Sequence, residues 1–159
     1  MTIWARPKNR NAPGWAGKMI MTANESADGL APGLTGRADT VVTPDKTAPV
    51  IGSGSANVYA SPAVVALMEA AAVACAEAHL RPGQTSLGIH VALHHTAATP
   101  PGMKVWAEAR LVSVDGRKLT FEIEAHDERE RIATATHVRI VVDKARFEAK
   151  LAAKFEHGT

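Results

Sequence analysis

Cysteine is nearly absent from this chain, and so is any strong excess of charge. The 159 residues include one cysteine, Cys75, which cannot form an intramolecular disulfide. This favours a reducing compartment such as the cytoplasm. Lysine and arginine together number 18 against 16 acidic residues, and no basic run is longer than two. Because a nucleic-acid-binding surface usually shows a basic stripe, no nucleic-acid partner is predicted.

Long hydrophobic runs are missing as well. The longest apolar stretch, Pro62–Met68, is far shorter than the roughly 20 residues that span a bilayer, so no membrane partner is predicted. The first 20 residues lack the apolar core of a signal peptide. Residues 1–33 are rich in proline and glycine without any period, which predicts a partly flexible N-terminal extension. Residues 34–159 are predicted to form a single domain.

The clearest helical signal starts at Ser61. Ser61 is predicted to be the N-cap and Pro62 the first helical residue, where a missing N–H costs nothing. The helix is predicted to continue over residues 63–80 and to stop before Pro82. Along most of its length Glu69 is the only side chain that is neither apolar nor small. A helix that is apolar on nearly every side is expected to be buried.

After this helix the hydrophobic period changes to two, which predicts four strands. A first strand is predicted over 35–43, and a C-terminal helix over 145–155. Asp115-Gly116 predicts a two-residue hairpin between two of the strands. The predicted apolar faces are Ile89, Val91, Leu93 and His95; Val105, Ala107, Ala109 and Leu111; Leu119, Phe121, Ile123 and Ala125; and Ile132, Thr134, Thr136, Val138, Ile140 and Val142.

A sheet that is apolar on one face only must be covered on that face. The simplest arrangement wraps an antiparallel sheet around the one long central helix. The sequence therefore predicts an α+β protein with the hotdog fold.

Glu69 and His95 are the first candidates for chemistry. Burying an ionised carboxylate costs several kcal/mol unless it is paired, so Glu69 in an apolar helix is a candidate for proton exchange. Alternatively, Glu69 shares a solvent-facing stripe with Glu77, eight residues later. His95 occupies an apolar slot of its strand and is expected to face the helix, where a histidine can also be purely structural. The two groups are expected to meet, which would supply an acid–base pair.

Three other features have both a structural and a functional interpretation. Ser61 can line the same groove as Glu69 or serve only as a cap. Gly88 can let a ligand approach the backbone or mark a bulge. His90 and His94 lie roughly 13 Å apart on a strand, and His95 points the other way, so no metal site is predicted.

These residues resemble a known family. The run from Ser61 through Glu69, the segment that contains Gly88, and the run His95-Thr-Ala-Ala-Thr-Pro-Pro-Gly-Met are similar to the hotdog thioesterases of the fluoroacetyl-CoA thioesterase family. The similarity covers about residues 50–150 and includes Thr136-His-Val-Arg139 near its end.

The resemblance implies an acyl-CoA thioesterase with a catalytic triad of Ser61, Glu69 and His95. It places Gly88 and Arg139 beside the thioester and implies no metal or redox cofactor, coenzyme A being part of the substrate. Family members work as dimers whose sheets join edge to edge, so a homodimer or a dimer of dimers is expected. A hotdog hydratase or dehydratase and a non-catalytic, self-protecting acyl-CoA binder are the alternatives.

The fluoroacetyl enzyme differs from this chain at two places. It has a threonine where this chain has Ser61, and an aromatic lid where this chain has Gly52-Ser-Gly-Ser55. A loop without bulky side chains is poorly suited to gate a pocket that selects for fluorine. The substrate is therefore expected to be a small or medium acyl-CoA.

Overall fold

A computed structural model describes residues 29–156 of the chain. Of the N-terminal extension predicted over residues 1–33, residues 1–28 therefore lie outside the described part of the chain. Short 3-10 turns precede α1 and follow α2. The elements, in chain order, are β1 (Thr35–Val41), α1 (Ala48–Ile51), α2 (Ser61–Ala76), β2 (Gln84–His95), β3 (Lys104–Asp115), β4 (Lys118–Asp127), β5 (Arg131–Asp143) and α3 (Lys144–Glu156).

The five strands form one antiparallel sheet in the order β1-β3-β4-β5-β2. Strands β3, β4 and β5 follow one another along the chain and pair as neighbours. The hairpin predicted at Asp115-Gly116 is confirmed, because Asp115 pairs with Lys118 and Gly116 has a φ of 57°. Within residues 29–156, β2 is an edge strand that pairs with β5 alone.

The helix α2 covers one face of this sheet, as predicted. Its buried side chains pack against the inner faces of β3 and β4, whose predicted apolar residues are all buried. The stretch Ser61–His79 is long and apolar enough to cross a membrane by length and composition, a property that the core helix of a globular fold shares. The buried helical residues are Val64, Leu67, Met68, Ala71, Ala72, Cys75 and Ala76.

The close contact between α2 and the sheet depends on Gly36 in β1. A Cβ atom at Gly36 would lie 2.3 Å from the backbone nitrogen of Cys75 and 2.5 Å from the carbonyl oxygen of Ala71. Real Cβ atoms do not approach a backbone so closely. Gly36 therefore sets how near the helix lies to the first strand.

The N-cap prediction for Ser61 is wrong. Ala60 occupies the cap position, Ser61 is the first helical residue, and no side chain caps this end. The hydroxyl of Ser61 is therefore available to another partner. The helix also ends at Ala76, earlier than predicted, because the chain tightens into a 3-10 turn over Glu77–His79.

The predicted inner face of β5 is wrong beyond its first residue. Ile132 is fully buried in the core, as predicted, but Thr134, Thr136, Val138 and Val142 are partly or fully exposed on the outer side, whereas the small and polar residues between them are buried. A run of β-branched residues on the outer face misled the periodicity argument. The residues on the helix side are Ala133, Ala135, His137, Arg139 and Val141, all of them buried.

Candidate functional site

Ser61 and His95 form a direct pair at the start of α2. Ser61 Oγ and His95 Nδ1 are 2.8 Å apart, which is a hydrogen bond. The position of Ser61 in the first turn directs its hydroxyl toward the end of β2, where His95 is the last residue. A hydroxyl bonded to an imidazole is the elementary unit of proton transfer to or from oxygen.

Burial controls the protonation of His95. It lowers the pKa of the imidazole below its ordinary value of 6.5, and the backbone of Ala97 acts weakly in the opposite direction. The Nε2 atom is buried and has no hydrogen-bond partner among residues 29–156. His95 is thus a neutral imidazole near pH 7, with one nitrogen engaged by Ser61.

Glu69 lies against Gly88 in a second group of residues. A Cβ atom at Gly88 would be 3.1 Å from Glu69 Oε1, 3.1 Å from His137 Cε1 and 3.6 Å from Arg139 Nη1. The bulge predicted at Gly88 is confirmed, because the strand register shifts between Gly88 and His90, and the carboxylate of Glu69 lies close to the backbone at this glycine. The half-buried Glu69 side chain therefore meets the sheet at a glycine that leaves room for it.

Arg139 is buried behind Gly88 and is bound by neutral acceptors. Its Nε donates to Ser86 Oγ and its Nη2 donates to the carbonyl of Ser86, both at 2.8 Å. Its Nη1 is 3.2 Å from His137 Nε2. Burial lowers the pKa of this guanidinium, while the charges of Glu69 and Glu77 raise it. Arg139 remains a cation, because an arginine side chain does not lose its proton in proteins.

The expected meeting of Glu69 with His95 does not occur within one chain. Ser61 and Glu69 stand eight residues apart on α2, a rise of about 12 Å. The charge of Glu69 acts on His137 and Arg139, whereas the pKa of His95 responds to burial and to Ala97. The chain therefore carries two half-sites: Ser61 with His95, and Glu69 with Gly88 and Arg139.

The outer face of the sheet is separate from both half-sites. His94, Arg37 and Glu108 are among the charged and polar residues that line a broad depression of about 940 Å³ on this face. Exposed ion pairs cross it, such as Arg37 with Glu108 at 3.0 Å. Among residues 29–156, no group of three or more His, Cys, Asp or Glu side chains is arranged to hold a metal ion.

The sequence and the fold match proteins of known activity. A family model described as fluoroacetyl-CoA-specific thioesterase matches residues 42–145. A fluoroacetyl-CoA thioesterase from Streptantibioticus cattleyicolor is 39% identical over 137 residues, which are 82% of this chain and 99% of that protein. The chain belongs to the fluoroacetyl-CoA-specific thioesterase family. As a member of this family it is a thioester hydrolase, as predicted.

Solved structures agree with the family assignment. A threonine-to-serine variant of the fluoroacetyl-CoA thioesterase FlK, in complex with acetyl-CoA, has a TM-score of 0.74 and 39% identity, over 79% of this chain and 98% of that one. A hot-dog-like protein from Thermanaerovibrio acidaminovorans has a TM-score of 0.72 and 23% identity, over 79% and 93% of the two chains. The predicted hotdog fold is therefore confirmed.

Three polar residues beside Arg139 in this thioesterase were not predicted from the sequence. The predicted inner face of β5 leaves His137 on the outer side, Glu77 has a predicted place only in the alternative interpretation of Glu69 as solvent-facing, and Ser86 has no predicted role. Small residues alternating with His137 and Arg139 in β5 were the available signal, because small side chains leave room on the inner face for large polar ones. That signal was weaker than the β-branched pattern beside it.

Proposed function

We propose that this chain hydrolyses the thioester of small or medium acyl-CoA molecules, using Ser61, Glu69 and His95. The observation that carries the proposal is the 2.8 Å hydrogen bond between Ser61 and His95. Serine is compatible with acetyl-CoA binding at such a site, since a threonine-to-serine variant of the related FlK was solved with acetyl-CoA bound. The reaction uses no metal or redox cofactor.

The two half-sites complete each other in a homodimer. Within the described part of the chain, the outer edge of β2 pairs with no other strand, so its backbone groups are offered to a second copy of the same strand. In an antiparallel pair of two β2 strands related by a two-fold axis, residues that face the helix must lie opposite residues that also face the helix. This is possible only if the axis passes through one residue of β2, not between two residues. If the axis passes through Val91 or Ala92, His95 of one protomer lies opposite a residue that is adjacent to Gly88 in the other protomer. Each active site then combines Ser61 and His95 of one protomer with Glu69 of the second.

The chemistry follows from this assembly. Glu69 attacks the thioester carbon or takes a proton from the water that attacks it. On the water route, the water oxygen bonds to the acyl carbon, the C–S bond breaks, coenzyme A leaves as a thiol after it receives a proton through His95, and the acyl group leaves as a carboxylate. On the direct route, Glu69 and the acyl group form a mixed anhydride as the C–S bond breaks, and water then hydrolyses this anhydride to two carboxylates. The buried charge of Arg139 lies where it stabilises negative charge that develops beside Gly88. Label found in Glu69 after a single turnover in ¹⁸O-labelled water would demonstrate the direct route, because only hydrolysis of an anhydride at the Glu69 carbonyl carbon introduces it there.

A thiol-release assay tests the proposed reaction. We expect the purified protein to release coenzyme A from acetyl-CoA and butyryl-CoA, which a free-thiol reagent measures. A hydratase would change the acyl chain without releasing thiol, and a binding protein would retain the thioester intact. Absence of thiol release from every acyl-CoA tested would show that the proposed function is wrong.

Mixing two inactive variants tests the shared site. Ser61→Ala and Glu69→Gln each remove one half-site, and each variant alone should be inactive. Two different tags on the co-expressed variants isolate the mixed dimers, which carry one intact site of two, so we expect about half of the wild-type activity per dimer and about a quarter in the unfractionated mixture. The control mixture of Ser61→Ala with His95→Ala should stay inactive, because both changes damage the same half-site. Mixed dimers of the first pair that remain inactive would contradict the shared site.

A further inference from the structure

A buried polar network lies behind Gly88 and is not part of the Ser61, Glu69 and His95 set. Ser86, His137 and Arg139 are 4%, 1% and 6% exposed, respectively. Glu77 closes the network on the far side, where its Oε1 accepts hydrogen bonds from the Ser86 nitrogen at 2.9 Å and from Ser86 Oγ at 2.7 Å. The network connects the end of α2 with β2 and β5.

The donors and acceptors fix the direction of each bond at Ser86. An arginine only donates, so Ser86 Oγ accepts from Arg139 Nε. The single hydroxyl proton of Ser86 is then directed to the carboxylate of Glu77. Ser86 thus connects a buried cation to a carboxylate that does not touch it directly.

The protonation state of His137 is fixed by its hydrogen-bond partners in the same way. Its Nδ1 is 2.8 Å from the carbonyl oxygen of His90, so this nitrogen carries the proton and donates. The other nitrogen, Nε2, therefore accepts from Arg139 Nη1. Burial first, and then the charge of Arg139, lower the pKa of His137 and keep the ring neutral. A second proton on Nε2 would place two donors against each other.

Three of the five N–H groups of Arg139 are held by these two residues. The plane of the guanidinium is fixed, with Nη1 on the side of Gly88 and Glu69. Neither acceptor residue carries a charge, so neither one neutralises the cation. The charges that act on the cation are those of Glu69 and Glu77, and its field reaches Glu69 and the reacting groups next to Gly88.

We propose that Ser86 and His137 are positioning residues for thioester hydrolysis, which act by holding the guanidinium of Arg139 beside Glu69 and Gly88. This role rests on the proposed function, since it concerns the same active site. Ser86→Ala removes only the hydroxyl, because the backbone nitrogen and oxygen of Ser86 keep their bonds to Glu77 and Arg139. His137→Phe keeps a ring in the core and removes both nitrogens.

A double-mutant cycle tests the dependence on Arg139. In the otherwise wild-type enzyme we expect Ser86→Ala and His137→Phe each to lower kcat by about tenfold or more, with little change in KM. In an Arg139→Met background the same changes should alter kcat by less than about twofold. Equal losses in both backgrounds would overturn the proposal, because a purely structural role does not depend on the guanidinium.

Two matched variants separate positioning from folding. Ser86→Thr keeps the hydroxyl and should restore most of the activity that Ser86→Ala loses. Thr136→Ala, on the outer face of β5 next to His137, should leave kcat unchanged. Failure of Ser86→Thr to recover activity, in protein with a normal melting temperature, would contradict the role of the hydroxyl.

A spectroscopic measurement tests the network without any substrate. In ¹⁵N-labelled protein, the Nε–H signal of Arg139 should be protected from exchange, and it should exchange rapidly in Ser86→Ala. The ¹⁵N shifts of His137 should report a neutral ring protonated at Nδ1. An unprotected Arg139 signal in the wild type would overturn the proposed positioning. Absence of thiol release together with a protected signal would instead overturn the proposed function, and with it the role in hydrolysis, while the positioning of Arg139 by Ser86 would stand.

Discussion

The hydroxyl of Ser61 is exposed at the first turn of α2 and bonds His95, and it does not cap the helix. Ser61→Ala should therefore cost little stability, within about 0.5 kcal/mol, as is usual for surface substitutions. Its effect on turnover should be large, at least about 10²-fold in kcat. Thermal unfolding and thiol release, measured on the same preparation, check both expectations.

Ser61→Thr is the matched control at this position. It keeps the hydroxyl, and the fluoroacetyl enzyme that this chain resembles has threonine there. We expect this variant to retain activity. Full activity of Ser61→Ala would show that Ser61 has no part in the reaction.

Individual site residues differ in how far the sequence could predict them. Glu69 and His95 are predictable, because each is a polar residue in an otherwise apolar face. His137 is polar and more deeply buried than either, but its neighbours on the same face are alanines and an arginine, so no apolar pattern surrounds it. At His137 the sequence therefore lacks the contrast between one polar residue and apolar neighbours that makes Glu69 and His95 recognisable.

At the scale of the elements, the packing of α2 on β1 leads to a prediction about Gly36. Any Cβ there must push the backbone of α2 away from the sheet, because the nearest atoms are main-chain atoms. We expect Gly36→Ala to lower the free energy of unfolding by at least about 1–3 kcal/mol, as overpacked cores do. Chemical denaturation measures this change.

Gly54→Ala is the control for Gly36→Ala. A Cβ at Gly54 would meet only the Cβ of Ala48, at 3.6 Å, which is an ordinary contact. This variant should unfold at the same denaturant concentration as the wild type, or slightly above it. Equal stability of the two variants would mean that α2 can move away from β1 at no cost.

The loop after α1 leads to a prediction about acyl specificity. Residues 52–55 are exposed glycines and serines, so they add no bulk that could exclude water from the acyl end of a pocket. Fluorine is close to hydrogen in size, and strong discrimination between them needs such a closed pocket. We expect less than about 10²-fold preference for fluoroacetyl-CoA over acetyl-CoA, with butyryl-CoA also hydrolysed.

Specificity constants for the three substrates under one condition measure this preference. A preference of many thousand-fold would show that another segment closes the pocket.

The elements themselves were largely predictable, with two informative exceptions. The short helix α1 begins between Pro44 and Pro49; two prolines so close together are typical of a break in the chain, but proline is tolerated in a first helical turn. In β5 both faces contain residues that suit a strand, so the period alone could not show which face meets the helix. Only the pairing with β4, whose buried face is unambiguous, determines it.

The stability of the whole molecule should depend on pH through its buried histidines. His95 and His137 both have a pKa below the ordinary 6.5, in each case chiefly because of burial. Between the lowered value and 6.5 the unfolded chain binds more protons than the folded one. The free energy of unfolding therefore falls as pH decreases through this window, and the stabilising contribution is complete above it.

Denaturation at several pH values between about pH 7 and pH 5 measures this slope. His95→Gln removes one of the two groups and should make the slope shallower, whereas Thr136→Ala should not change it. An unchanged slope in His95→Gln would indicate that His95 does not titrate differently in the folded and unfolded states.

The division of the site was not predictable from the sequence. Periodicity shows that Glu69 and His95 both face the core, but it gives no distance between them. That distance depends on how α2 lies on the sheet: Ser61 is next to His95, and the eight residues to Glu69 leave the carboxylate at Gly88. Two inward residues in one small core therefore need not be neighbours.

The strand order also has a consequence for the order in which the protein can fold during its synthesis. Strand β2 is made second, yet in the described structure its only partner is β5, which is made last. Similarly, β1 must wait for β3, about 70 residues later, as the pairing of Arg37 with Glu108 shows. The apolar helix α2 thus leaves the ribosome before the strands that cover it, so chaperones that bind exposed apolar segments should engage the nascent chain until β5 emerges.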